Sequence, residues 1–111
     1  MKSKSGKPYQ TEWSGESLLK LQELHDFIAF AKQEPESAQK LLQQLIHFGD
    51  QLGTAPLSYP LVGNTEAGRP NRYKAVFKKN YLFIFSLDEE RQILSIVNLL
   101  HAAQLPDKRY F

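Results

Sequence analysis

The chain has 111 residues, no cysteine, 14 lysines and arginines against 12 acids, and 41% apolar residues. That length suits one domain, the near balance of charge points to no partner by itself, and the lack of thiols excludes a disulfide framework and thiolate metal sites. Apolar runs such as Ile96-Val97 and Leu99-Leu100 around Asn98 are far too short to cross a membrane, so a cytoplasmic protein without a membrane partner is expected.

Residues 1–8 are basic but carry no apolar segment of the kind a signal peptide needs, and they read as a flexible tail ahead of a single domain at 9–111. Tyr9 to Trp13 is a short extended candidate. Ser14 then offers a hydroxyl to the free N–H groups of a helix starting near Gly15 or Glu16. In that helix Leu18, Leu21, Leu24, Phe27, Ile28 and Ala31 recur at helical spacing as one apolar stripe. Gln33-Glu34-Pro35-Glu36 interrupts and restarts the pattern, because proline suits a first helical turn and the two glutamates complement the dipole there. The second helix carries Ala38, Leu41, Leu42, Leu45, Ile46, Phe48 and Leu52, with Gly53 as a left-handed stop. So short a break implies an antiparallel helical hairpin.

From Thr54 to Asn71 the chain has no periodicity and holds Pro56, Pro60, Gly63, Gly68 and Pro70, which reads as a long loop. Strand patterns follow near 72–78, 81–87 and 92–100, joined by tight connections at Lys79-Asn80 and Asp88 to Arg91, as in an antiparallel meander. The sheet and the hairpin each have an apolar side to cover, so the fold class is α+β, with the short N-terminal strand and helical hairpin packed on the C-terminal meander.

Charge is unevenly placed: residues 1–55 hold six cations and seven acids, residues 56–111 eight and five. Between Ala67 and Leu87 stand Arg69, Arg72, Lys74, Lys78 and Lys79 without one acid. Alternation along a strand puts Arg72, Lys74, Val76 and Lys78 on one face and Tyr73, Ala75 and Phe77 on the other, leaving one side for a core and one for an anion such as a phosphate backbone. The competing reading is that charges on an edge strand simply discourage aggregation. His25 and His47 fall in amphipathic helical patterns, where solvated or structural histidines are ordinary, and Trp13 reads as a packing residue. The three histidines share no ligand spacing, so neither a metal nor a cofactor is expected.

The order of these pieces resembles the RelE/ParE superfamily of bacterial type II toxins, which includes plasmid stabilisation proteins. The resemblance runs through Tyr9-Gln10-Thr11-Glu12-Trp13-Ser14, Ser17 to Leu21, Ala38 to Leu42, Arg72-Tyr73-Lys74-Ala75-Val76, Asn80 to Phe85, and Ile93 to Val97 leading to His101 and Pro106. It implies a toxin acting as a ribosome-dependent mRNA endoribonuclease, metal-independent and neutralised by a cognate antitoxin. Arg72, Tyr81, His101 and Tyr110 are then catalytic candidates, and Arg69, Lys74, Lys78, Lys79 and Arg109 hold the nucleic acid or another anion. Cleavage of this kind needs a group to take the 2′-OH proton, a group to protonate the leaving oxygen and cations around the phosphate. The sequence departs from the family at Ala103, where an arginine is usual, and at Phe85, where tyrosine is frequent. The same resemblance admits a ParE-like inhibitor of DNA gyrase without nuclease activity, or a non-toxic binding module. Assembly as a homodimer or a toxin–antitoxin hetero-oligomer is expected.

Overall fold

The computed structural model describes residues 8–62 and 71–102. Strand β1 (Gln10–Trp13) leads into helix α1 (Gly15–Asp26), a π-helical turn (Phe27–Ala31) and helix α2 (Pro35–Gln51). Strands β2 (Arg72–Phe77), β3 (Tyr81–Asp88) and β4 (Ile93–His101) complete a four-stranded sheet in the order β1-β4-β3-β2. The meander is antiparallel as expected, and β1 adds to it in parallel, pairing Gln10 with Ile93 and Trp13 with Ile96. The α+β architecture read from the sequence is thus present, with the sheet mixed rather than purely antiparallel.

Ser14 acts as the N-cap of α1: its Oγ accepts from the Ser17 N–H at 3.0 Å. The same hydroxyl donates to the Val97 carbonyl at 3.2 Å, and the Ser14 N–H donates to the Ile96 carbonyl at 2.9 Å. One serine therefore fixes the helix start and ties it to β4. Ser14→Ala is expected to cost about 1 kcal/mol of unfolding free energy in urea titration; a variant as stable as the parent would show that the cap contributes nothing.

The face that α1 buries differs from the expected stripe. Ser17, Leu21, Leu24 and Ala29 are buried, whereas Leu18, Leu19, Phe27 and Phe30 are 51–73% exposed. Position 17, with a small side chain whose Oγ donates to the Ser14 carbonyl at 2.8 Å, faces the sheet, and this rotates Leu18 out by about 100°. The chain turns at Gln33, which is left-handed at φ 55°, and Pro35 opens α2. Gly53 is not a left-handed stop. It lies in a 3-10 turn (Leu52–Thr54) after α2, and glycine is required because a Cβ there would collide with the Tyr9 carbonyl oxygen. The Tyr9 N–H donates to the Gly53 carbonyl at 2.9 Å, so the chain entering β1 lies directly against this turn.

Of the expected long loop, residues 54–62 and 71 are described. A second 3-10 turn (Pro56–Ser58) is followed by a stretch that runs along the outer edge of β2. There Val62 donates to the Arg72 carbonyl at 2.8 Å and Lys74 donates to the Pro60 carbonyl at 3.0 Å. This occupies part of a sheet edge that would otherwise present unpaired backbone groups.

Facing residues in adjacent strands share a side of the sheet. Toward the helices stand three rungs: Tyr73, Phe85 and Ile96; Ala75, Phe83 and Leu99; Phe77, Tyr81 and His101. They pack with Leu21, Leu24, Leu45 and Leu52 as the main core. Phe83 is fully buried and lies at its centre, 5.1 Å from the Phe48 ring and 6.1 Å from the Trp13 ring. The opposite face carries Arg72 with Ser86 and Ser95, Lys74 with Ile84 and Asn98, and Val76 with Leu82 and Leu100. A register shift between Ile84 and Phe85 lets β4 insert Val97 without partner, which keeps both faces in phase across the irregularity.

Candidate functional site

Among the described residues, three surfaces bring candidate side chains together. The open face of the sheet presents Arg72, exposed, and Lys74, half-buried, with hydroxyls from Ser86 and Ser95 beyond them. These two cations share a face as the alternation required. Lys78 does not join them. β2 ends at Phe77, and Lys78 and Lys79 both take the left-handed conformation at φ 52° and 67°. This turn swings the Lys78 ammonium to the other side, where it donates to Gln44 Oε1 at 2.7 Å and lies 5.5 Å from the centre of the Phe77 ring. Left-handed geometry costs about 1–2 kcal/mol per residue with a Cβ, so alternation cannot be extended through such a turn. Lys79 is exposed at its tip.

Tyr81 and His101 form the second surface. Being paired on the helix-facing rung, they meet edge to face, with ring centroids 4.9 Å apart at 74°. Together with Glu23, Phe27 and Lys32 they line an open groove of about 430 Å³ between the sheet and the end of α1. The π-helical turn widens the helix here, and Lys32 reaches back over the Phe27 ring at 5.8 Å. Burial pushes the Tyr81 phenol above its ordinary pKa, so at neutral pH it is a hydrogen-bond donor and not a ready base. A raised folded-state value means that this tyrosine stabilises the fold below the unfolded phenol's pKa and that the contribution is lost as pH rises through the folded one. Stability should therefore fall on titration above about pH 10, less steeply in Tyr81→Phe. An identical alkaline slope in the variant would assign the loss to other groups.

The catalytic candidates are consequently divided. Arg72 is five residues from Phe77, the partner of Tyr81, so it lies about 17 Å along the strand from the tyrosine and on the opposite face. The structure brings Tyr81 to His101 and Arg72 to Lys74, but it does not bring the two pairs together. Arg69, Arg109 and Tyr110, with position 103, lie outside the described residues.

The third surface was not anticipated. Lys40, Gln44, His47 and Gln51 follow one another along α2 and, with Gln43 and Lys78, border a groove floored by Phe48 and Phe77. Spacing of four, three and four residues is the signal for it in the sequence. Among the described residues no three His, Asp or Glu side chains are grouped to hold a metal ion, and no helix is long and apolar enough to cross a membrane.

The helical hairpin lies on a mixed sheet whose first strand runs parallel to its last, and Arg72 and Lys74 share its open face. Solved structures share this fold: the RelBE2 toxin–antitoxin complex of Mycobacterium tuberculosis (17% identity, 86% of this chain and 99% of that one, TM-score 0.60). The chromosomal ParDE system of Pseudomonas aeruginosa is similar at 13% identity, over 84% of this chain and 95% of that one, with TM-score 0.63. The archaeal RelE–RelB complex of Pyrococcus horikoshii matches at 16% identity, over 89% of this chain and all (100%) of that one, with TM-score 0.57. At such identities these likenesses establish the fold alone. Comparison with curated protein sequences gives no match. The family profile described as the ParE toxin of the type II toxin–antitoxin system parDE matches residues 11–106, and the chain belongs to that family. It is a toxin of a type II toxin–antitoxin system, in the RelE/ParE superfamily.

Proposed function

We propose that this toxin arrests growth by binding its target, as a ParE-like inhibitor of DNA gyrase, and that a cognate antitoxin neutralises it by covering the open face of the sheet. The observation that carries this reading is the separation of Tyr81 and His101 from Arg72 and Lys74 across the sheet. Cleavage through a 2′-OH requires proton acceptor, proton donor and phosphate-neutralising cation within hydrogen-bond reach of one phosphodiester, about 2.6–3.2 Å each. Side chains on opposite faces cannot meet that requirement together. Ala103, where the superfamily usually has arginine, points the same way. Match to the ParE profile adds to it.

Solved relatives are complexes with antitoxins, which supports a partner of that kind here. Its acidic segment would neutralise Arg72 and Lys74, whereas Lys78 faces α2 and lies apart from that surface. Purified chain should inhibit supercoiling by purified gyrase; undiminished supercoiling at saturating toxin would refute the target. Arg72→Glu/Lys74→Glu should weaken capture by the antitoxin at low salt, an effect that fades as salt screens the charges. Unchanged affinity would remove the electrostatic part of the proposal.

A second reading, a ribosome-dependent mRNA endoribonuclease, is favoured by one observation: His101 and Tyr81 share a groove open to solvent. On that reading His101→Ala would abolish toxicity and mRNA cuts. A binding module without toxicity would instead leave cells growing normally on overexpression.

A further inference from the structure

The groove along α2 is distinct from both the open face and the Tyr81–His101 pair. Its rim carries the cations Lys40 and Lys78 together with His47, and its lining includes no acid. The nearest acid on this part of the helix, Asp50, is engaged elsewhere: its Oδ1 accepts from the Trp13 indole N–H at 3.1 Å. Glu36, one turn before Lys40, lies outside the lining. Lys78 leaves β2 with a positive φ, and at the groove it is held by Gln44 and the Phe77 ring.

We propose that this groove binds a single-stranded nucleic acid backbone. Cations along a channel with aromatic side chains beneath them are the elements by which proteins hold single strands. The aromatic floor of Phe48 and Phe77 is half-buried and leaves an apolar surface for a sugar or base. Gln43 and Gln51 each present a donor and an acceptor, which matches base edges better than it matches carboxylates. From Lys40 to Gln51 the stripe is about 16 Å long, room for a few nucleotides. An acidic protein segment is the rival occupant, and competition by polyglutamate distinguishes it. The proposal holds whichever macromolecule the toxin attacks, since a strand at either target would extend the contact.

The test is fluorescence anisotropy of labelled DNA and RNA oligonucleotides of about twelve nucleotides and the same sequence with the full chain, between about 50 and 200 mM salt. Lys40→Glu/Lys78→Glu should weaken binding roughly tenfold and flatten the log–log salt slope by about 1.4, two phosphate contacts' worth. Lys20→Glu/Arg91→Glu, with the same change in net charge away from the groove, should stay within about twofold. Gln43→Ala should lower affinity without altering the slope, and circular dichroism confirms that each variant is folded. Comparing the two oligonucleotides tells DNA from RNA as the natural strand. Equal losses in both double variants would reduce the effect to bulk charge and overturn the proposal. So would a polyglutamate peptide that competes as well as either oligonucleotide.

Discussion

Phe83→Ala is expected to lower the unfolding free energy by about 3–5 kcal/mol, enough to leave a chain of this size largely unfolded at physiological temperature. Phe83 is fully buried on β3, opposite Ala75 and Leu99, and it touches the rings of Phe48 from α2 and Trp13 from β1. It is the side chain at which the helical hairpin, the N-terminal strand and the meander meet. Deleting the ring removes its transfer energy and leaves a cavity that four elements would have to collapse into together. A loss below about 1 kcal/mol in guanidinium titration would mean that the core repacks around the site, and that the hairpin is held mainly elsewhere.

Gly49→Ala carries the next largest effect. A Cβ on Gly49 would run into the Trp13 indole, with Cη2 at 2.6 Å, and would stand 3.0 Å from Ile96 Cδ1. The indole cannot easily give way, because its N–H is bonded to Asp50 and its edge rests on Phe83. Overpacking of this kind costs about 1–3 kcal/mol. Trp13→Phe shortens the aromatic side chain at the point of collision, so in the double variant Gly49→Ala should cost less than it does alone. Strict additivity of the two changes would locate the strain elsewhere. Exposed apolar surface at Leu18, Leu19, Phe27 and Phe30 makes neither change milder, since those side chains contribute little to the core.

Most of the architecture could be read from residue order. Ser14 before an apolar period, Pro35 after a short break, and three strand patterns in sequence fixed the helices and the meander, because caps, proline and alternation are local effects. What stayed hidden depends on contacts between distant segments. Gly53 looked like a helix stop, yet its lack of a side chain serves the passage of Tyr9, 44 residues earlier in sequence. The orientation of α1 turned on Ser17, a small polar residue that the apolar pattern could not weigh. Parity carried Arg72 and Lys74 to one face correctly, but it failed at Lys78, where positive φ reverses the chain. Only the pairing of their strands shows that Tyr81 and His101 face the helices, beside Lys32, and lie across the sheet from Arg72 and Lys74.

The account depends on Tyr81 with His101 and Arg72 with Lys74 belonging to different surfaces, so that no phosphodiester is cut between them. Mapping of mRNA 5′ ends by primer extension in cells expressing the chain without antitoxin tests this directly. Growth arrest with transcripts intact, retained in His101→Ala and Tyr81→Phe, is the expected result. New 5′ ends that appear with the parent chain and vanish in His101→Ala would contradict it.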